Sequence, residues 1–216
     1  MASKAIIFID GNNLYHNAKA MHIKLSPDYI RKIAERACAH FNCILQKAIY
    51  YNSVPSIADG EEMYYKHIKF LDKMKALPKF EVKTRKLQRR SNAEVQEEKK
   101  AALFNLGLCK TCMPLVESNC ADCVGAIDKK EKGVDMLIGI DMINLSIIQK
   151  ECDCCILISG DADFIPAMDL IRKCGKKVFS AFLTKGYSYD IRQKFKFFIM
   201  NKEFLNKKIL HPNKKK

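Results

Sequence analysis

The chain has no run of about 18 apolar residues, the length that spans a bilayer, because Asp135 and Asp141 interrupt the longest candidate. Its N-terminus enters a strand-like stretch that holds Asp10, which is not the pattern of a secretory leader. These absences predict a soluble, cytoplasmic protein without a membrane partner. In that compartment its ten cysteines are reduced thiols or metal ligands rather than disulfides. Also missing are a Walker loop, a G-x-G-x-x-G turn and a nucleophile elbow, which argues against NTPase, dinucleotide and serine-hydrolase chemistry. Acids are scarce: 24 Asp and Glu stand against 38 Lys and Arg, a formal charge of +14. Such a surface repels itself unless a polyanion is near, so nucleic acid or an anionic membrane surface is the expected partner.

What is present alternates. Apolar runs at residues 6–10, 46–52, 80–87, 154–159 and 177–182 read as strands. Between them lie helical patterns. One follows Ser26-Pro27, an N-cap with proline at the first helical position, and places Ile30, Ile33, Ala34, Ala37, Cys38 and Phe41 on one face. Others run from about Gly60, with Met63, His67, Phe70 and Met74, from Gly133, with Val134, Ile138, Met142 and Leu145, and over residues 163–174. His67 reads as a core histidine. Strands alternating with helices predict a three-layer α/β/α fold with a mainly parallel sheet of five to six strands. A short helix at 188–194, an edge strand at 195–200 and a basic tail at 207–216 complete the chain. The exposed edge makes a homodimer an expected partner state.

Two strands end alike. Residues 6–13 read Ile-Ile-Phe-Ile-Asp-Gly-Asn-Asn, and residues 156–164 read Ile-Leu-Ile-Ser-Gly-Asp-Ala-Asp-Phe. Each apolar run stops at an acid beside a glycine, so Asp10, Asp161 and Asp163 emerge at the carboxyl edge of one sheet, where open α/β folds place ligands. Asp135 sits in the first turn of the helix after Lys132-Gly133. Singly, an acid at a strand end starts a turn and one at a helix start complements the dipole. Jointly, they form a hard-cation site, since crowded carboxylates repel unless a divalent ion joins them. Asn13 can add a neutral ligand. Asp141 points to another face of its helix and suits a supporting hydrogen bond.

Three segments carry a resemblance: Phe8-Ile-Asp-Gly-Asn-Asn-Leu14, Glu131-Lys-Gly-Val-Asp135 and Ser159-Gly-Asp-Ala-Asp-Phe164. In this order they resemble the signature of the NYN domain, in its LabA-like branch, within the PIN-like nuclease superfamily. The resemblance implies a domain over residues 1–206 and a metal-dependent ribonuclease of the endonuclease type that leaves 5′-phosphate and 3′-hydroxyl ends. It assigns Asp10, Asn13, Asp135, Asp161 and Asp163 to catalysis, with the four aspartates holding Mg²⁺ or Mn²⁺. A fold kept for RNA binding without turnover, or a DNA nuclease or phosphatase using the same metals, are the rival readings.

The expected domain is interrupted at residues 105–128 by two C-x-x-C pairs, Cys109 with Cys112 and Cys120 with Cys123. Four thiolates at this spacing suit a closed tetrahedral zinc; a redox dithiol or incidental cysteines are the alternatives. Cys154 and Cys155 are adjacent, point to opposite faces of a strand and, with Cys152, read as buried thiols rather than a second metal site, while Cys38, Cys43 and Cys174 read as small apolar residues. The expected RNA contacts are Lys83, Arg85, Lys86, Arg89, Arg90, Lys132 and Arg192, all basic and able to hold phosphates without reading sequence. Tyr187 and Tyr189, and Tyr50 and Tyr51, can either stack bases or fill the core.

Overall fold

The computed structural model describes residues 2–57, 60–86, 88–89, 92–120, 129–130 and 133–206. The chain divides into two compact units, Met1–Arg85 with Gly133–Lys216, and Lys86–Lys132.

The first unit is built on β1 (Ser3–Asp10), β2 (Cys43–Val54), β3 (Phe80–Lys86), β6 (Cys154–Ile158), β7 (Lys177–Leu183) and β8 (Lys196–Met200), in spatial order β3-β2-β1-β6-β7-β8 and all parallel. The chain lays β2 and β3 to one side of β1 and β6, β7 and β8 to the other. The order therefore reverses between β1 and β6, which pair from Ala5 with Cys154 to Ile9 with Ile158. Both strands are buried on both faces, as strands in the middle of a parallel sheet must be.

Alternation divides their side chains between two cores. Ala5, Ile7, Ile9, Cys154 and Ile156 face α1 (Gly11–Ala20), α2 (Pro27–His40) and α3 (Glu61–Lys75). Ile6, Phe8, Cys155 and Leu157 face α6 (Val134–Ile143), α7 (Ile165–Lys173) and α8 (Tyr189–Lys194). This is the expected three-layer arrangement, and Cys154 and Cys155 do part to opposite faces. Among the described residues no helix is long and apolar enough to cross a membrane.

Several expectations are corrected. Helix α1 was not legible: its opening Gly-Asn-Asn is a poor helix former, and only Leu14 and Ala18 beyond the first residue are buried. What starts it is Asp10, whose side chain accepts from the Asn13 N–H as an N-cap. The helix from Gly133 ends earlier than its apolar period, passing into a π-turn at Asn144–Ile148. Tyr50 and Tyr51 are 2% and 0% exposed and belong to the core, so neither stacks a base. A last helix, α9 (Lys202–Asn206), closes the unit.

The second unit holds β4 (Gln88–Arg89) paired antiparallel with β5 (Lys129–Lys130), α4 (Asn92–Asn105) and α5 (Cys112–Cys120). The charged stretch at 94–100, read as solvated helix or loop, lies in α4. Cys123 lies outside the described residues.

Candidate metal centre

Asp10, 4% exposed, is held from two sides. Its Oδ1 accepts from the Asn13 N–H at 3.0 Å and its Oδ2 from the Ser159 hydroxyl at 2.9 Å. Ser159 closes β6, and its Oγ also accepts from the Asp161 N–H at 3.2 Å. One hydroxyl thus ties the acid ending β1 to the acid following β6. Asp161 then caps the 3₁₀ turn Ala162–Phe164, accepting from the Asp163 N–H at 2.9 Å. These bonds set the directions of the carboxyl groups before any ligand arrives.

Asn13 does structural work the sequence did not disclose. Its Oδ1 accepts from the Gly160 N–H at 3.2 Å and from Asn17 Nδ2 at 2.8 Å, so the start of α1 is pinned to the turn after β6. Gly160 is required there: an added Cβ would lie 1.7 Å from the Gly186 carbonyl oxygen. Ser159, Asn17 and Gly186 were missed as parts of the site. Only Ser159 left a signal, as a polar residue ending an apolar strand one step before the glycine turn.

Asp135 faces this group from the first turn of α6. Its pKa is raised, first by partial burial and then by the negative charges of Asp10, Asp161 and Asp163. The four predicted aspartates therefore share one electrostatic neighbourhood at the reversal point of the sheet. Among the described residues no three Asp, Glu, His or Cys side chains are grouped to clasp one ion directly. An all-oxygen donor set of this spread fits Mg²⁺ or Mn²⁺ better than a softer or tightly caged ion, because Mg²⁺ binds through one or two carboxylates and keeps several waters. Beside it a cleft of about 440 Å³ between α6 and α7 has Asp135 and Asp163 at its rim and Met136, Ile140 and Leu170 along its walls.

The raised pKa has a sign that can be tested. Ionised Asp135 is less favourable in the folded chain than in the unfolded one, so it subtracts stability above its folded pKa. That loss disappears as pH falls below the ordinary aspartate value of about 3.9. Asp135→Asn is expected to raise the Tm at neutral pH in chelator and to leave it unchanged near pH 3. A Tm series against pH for both proteins checks it.

The remaining predicted residues are scattered. Asp141, 7% exposed, accepts from the Tyr51 hydroxyl at 2.8 Å and from Lys83 Nζ at 2.7 Å. It has the supporting role expected of it, and Tyr51 is pushed well above the ordinary tyrosine pKa by burial and by that carboxylate. Lys83 makes the same contact, its ammonium tying β3 to α6 while its side chain stays 37% exposed. Arg85 and Lys86 are exposed at the end of β3. Arg192 stands 4.8 Å from the Tyr187 ring centroid and 5.0 Å from that of Phe197. Arg89 lies in β4, and Arg90 and Lys132 lie outside the described residues.

In the second unit Cys109 and Cys112 share one turn, with the Cys112 N–H donating to the Cys109 carbonyl at 3.1 Å. The Cys112 N–H and side chain, followed by the Thr111 N–H, hold the Cys109 thiol pKa below its ordinary value. Cys112 and Cys120 begin and end α5. The side chain of Cys120, like Cys123, lies outside the described residues.

The fold agrees with a solved structure. The crystal structure of a protein of unknown function from Vibrio parahaemolyticus is similar, with a TM-score of 0.53, 18% identity and 92% of each chain covered. A comparison with curated proteins gives no match. Residues 4–200 match the NYN domain, a span that takes in the aspartate-lined edge just described. The chain belongs to the NYN domain family, a family of PIN-like nucleases.

Proposed function

We propose that the chain is a metal-dependent ribonuclease of the LabA-like branch, acting within RNA strands. The observation that carries this reading is the shared field of Asp10, Asp135, Asp161 and Asp163 at the switch point of the sheet. Mg²⁺ or Mn²⁺, if held by these aspartates, would supply an activated water for in-line attack on a phosphodiester and would offset charge on the leaving oxygen. The chain's own residues do the positioning. Asp10 is oriented by Asn13 and Ser159, and Asp161 by its cap on the Asp163 N–H, so neither carboxyl group must reorganise when charge develops. Asp161 is assigned as a direct ligand and Asp163 as one acting through water. Asn13 holds the Gly160 turn and thereby the height of Asp161.

Purified protein is expected to cut single-stranded or structured RNA with Mg²⁺ or Mn²⁺ and to stop in chelator. RNA, DNA and small phosphoesters compared with one preparation separate the readings. Cleavage of DNA or phosphoesters in preference to RNA contradicts the assignment, and RNA binding without turnover leaves an RNA-binding adapter.

A structural zinc on Cys109, Cys112, Cys120 and Cys123 is proposed for the second unit. The Cys109–Cys112 turn, whose amides already face the Cys109 sulfur, supports it. Ligation would order this stretch, since metal binding and folding are coupled. Protein isolated without chelator is expected to carry about one zinc per chain; less than about half an equivalent would contradict the site.

A further inference from the structure

The loop between β7 and α8 leans on the turn that carries Asp161. A Cβ on Gly160 would overlap the Gly186 carbonyl oxygen and stand 3.2 Å from the Tyr187 α-carbon. On its other side Gly186 lies against the Asn17 side chain, and its φ of +80° suits glycine. Asn17 in turn donates to Asn13, the residue that holds the Gly160 N–H. The backbone of Tyr187 is thus packed on the aspartate edge of the sheet, against the residue that precedes Asp161.

What this loop presents is an open ring. Tyr187 is 45% exposed, and the Arg192 guanidinium lies over its ring, 4.8 Å from the centroid. Arg192 is itself placed by its surroundings. Ser188 caps α8 by accepting from the Ile191 N–H at 3.3 Å, and the same guanidinium lies over Phe197 at 5.0 Å. A cation held over a ring braces it. Among the described residues no other aromatic ring is stacked on Tyr187, so the surface that Arg192 leaves uncovered is available to a ligand.

Gly160 directly precedes Asp161, so a strand with a phosphate at the aspartates brings an adjoining base within reach of this ring. An aromatic face takes any base without reading its edges, because every base has a π-face. We propose that Tyr187 is the stacking platform for the base beside the bond that is cut, with Arg192 bracing the ring from behind. The proposal deepens the nuclease reading above and rests on it.

The test is a double-mutant cycle between ring and base, run with the full chain. The bond cut in a single strand of about 16 nucleotides is mapped with Mn²⁺, and each nucleotide around it is replaced in turn by an abasic one. In wild type, removing the base at one position beside the bond is expected to lower kcat/KM about tenfold, the size of one base–aromatic stack. Tyr187→Leu is expected to lose about tenfold on the intact strand, chiefly in KM, and to be indifferent to the base at that position, since both changes remove one interaction. Tyr187→Phe restores the ring and is expected to regain both affinity and sensitivity to the base. Tyr65→Leu on α3, where the ring is 54% exposed, is the control and is expected to match wild type. A purely structural role for Tyr187 lowers the rate on every strand alike. That additive result, no loss in Tyr187→Leu, or an equal loss in Tyr65→Leu overturns the platform. Anisotropy binding of the same strands in chelator keeps the two readings apart. Cutting and binding that both ignore Tyr187 sink the platform alone. Binding that needs the ring and one base, without any cutting, sinks the nuclease reading alone, and a chain that neither binds nor cuts sinks both.

Discussion

Asp10→Asn and Asp161→Asn are each expected to lower the rate of Mn²⁺-dependent RNA cleavage by at least about 100-fold, the cost of removing one preorganised electrostatic partner from a reacting centre. Neither change should unfold the protein. Asparagine caps a helix or turn nearly as well as aspartate, so the bonds to the Asn13 and Asp163 N–H groups have an acceptor in the variants too. The stability cost is expected at about 1 kcal/mol or less for each. The informative outcome is therefore a silent enzyme with a near-normal Tm. Full activity in both variants would place the chemistry away from the sheet edge. The double variant is expected to lose little more than either single one, because groups acting on the same ion act as a unit.

Gly160→Ala is the second large effect, and it acts through backbone. A Cβ at this position meets the Gly186 carbonyl oxygen at 1.7 Å and the Tyr187 α-carbon at 3.2 Å. No side-chain rotation relieves a clash between two main chains, so a loop must move. Overpacking of this kind costs about 3 kcal/mol, which for a chain of this size lowers Tm by roughly 6–12 °C. The displaced turn carries Asp161 with it, and a misplacement of about 1 Å at a reacting centre is worth about 100-fold in rate. Gly139→Ala is the matched control. Its Cβ meets nothing nearer than the Ala167 Cβ at 3.9 Å, and replacing a mid-helix glycine should gain up to about 1 kcal/mol. Thermal melts of the two variants beside wild type check the pair.

The two strands that carry the acids were legible because each is an uninterrupted apolar run that stops at an Asp beside a glycine, a pattern only the middle of a parallel sheet needs. Their adjacency was legible for the same reason. The residues that aim the acids were not. Asn13 read as a neutral ligand or water-holder, and nothing in its spacing showed that its side chain also joins α1 to Gly160. Ser159 read as the end of a strand, yet its hydroxyl links Asp10 to Asp161. Such roles depend on which turns face each other, and the spacing of residues along the chain is silent about that. The Lys83 ion pair was hidden for a related reason: nothing local marks a lysine whose ammonium reaches a buried Asp 58 residues away. Tyr50 and Tyr51 sit near the end of the apolar run at 46–52, where exposure was as reasonable as burial, but β2 runs on to Val54 and helices cover both of its faces. Helix α1 was hidden by weak intrinsic propensity and revealed only by its cap.

The sheet edge also explains why the acids coexist with so basic a chain. Asp10, Asp135, Asp161 and Asp163 share the switch point of the sheet. Phosphate attracted by the overall charge of +14 would be repelled at the aspartates unless a cation neutralised them. Cation and RNA are thus expected to bind together at the site more strongly than either does alone, with Mn²⁺ raising affinity for RNA there and RNA raising affinity for Mn²⁺ by the same factor.

The most direct measurement is a crystal of the chain soaked in Mn²⁺ and recorded for anomalous scattering. The account predicts an anomalous peak among Asp10, Asp135, Asp161 and Asp163, with carboxylate oxygens at about 2.0–2.3 Å. Density elsewhere in the chain with none among these aspartates, in protein that still cleaves RNA with Mn²⁺, would contradict it.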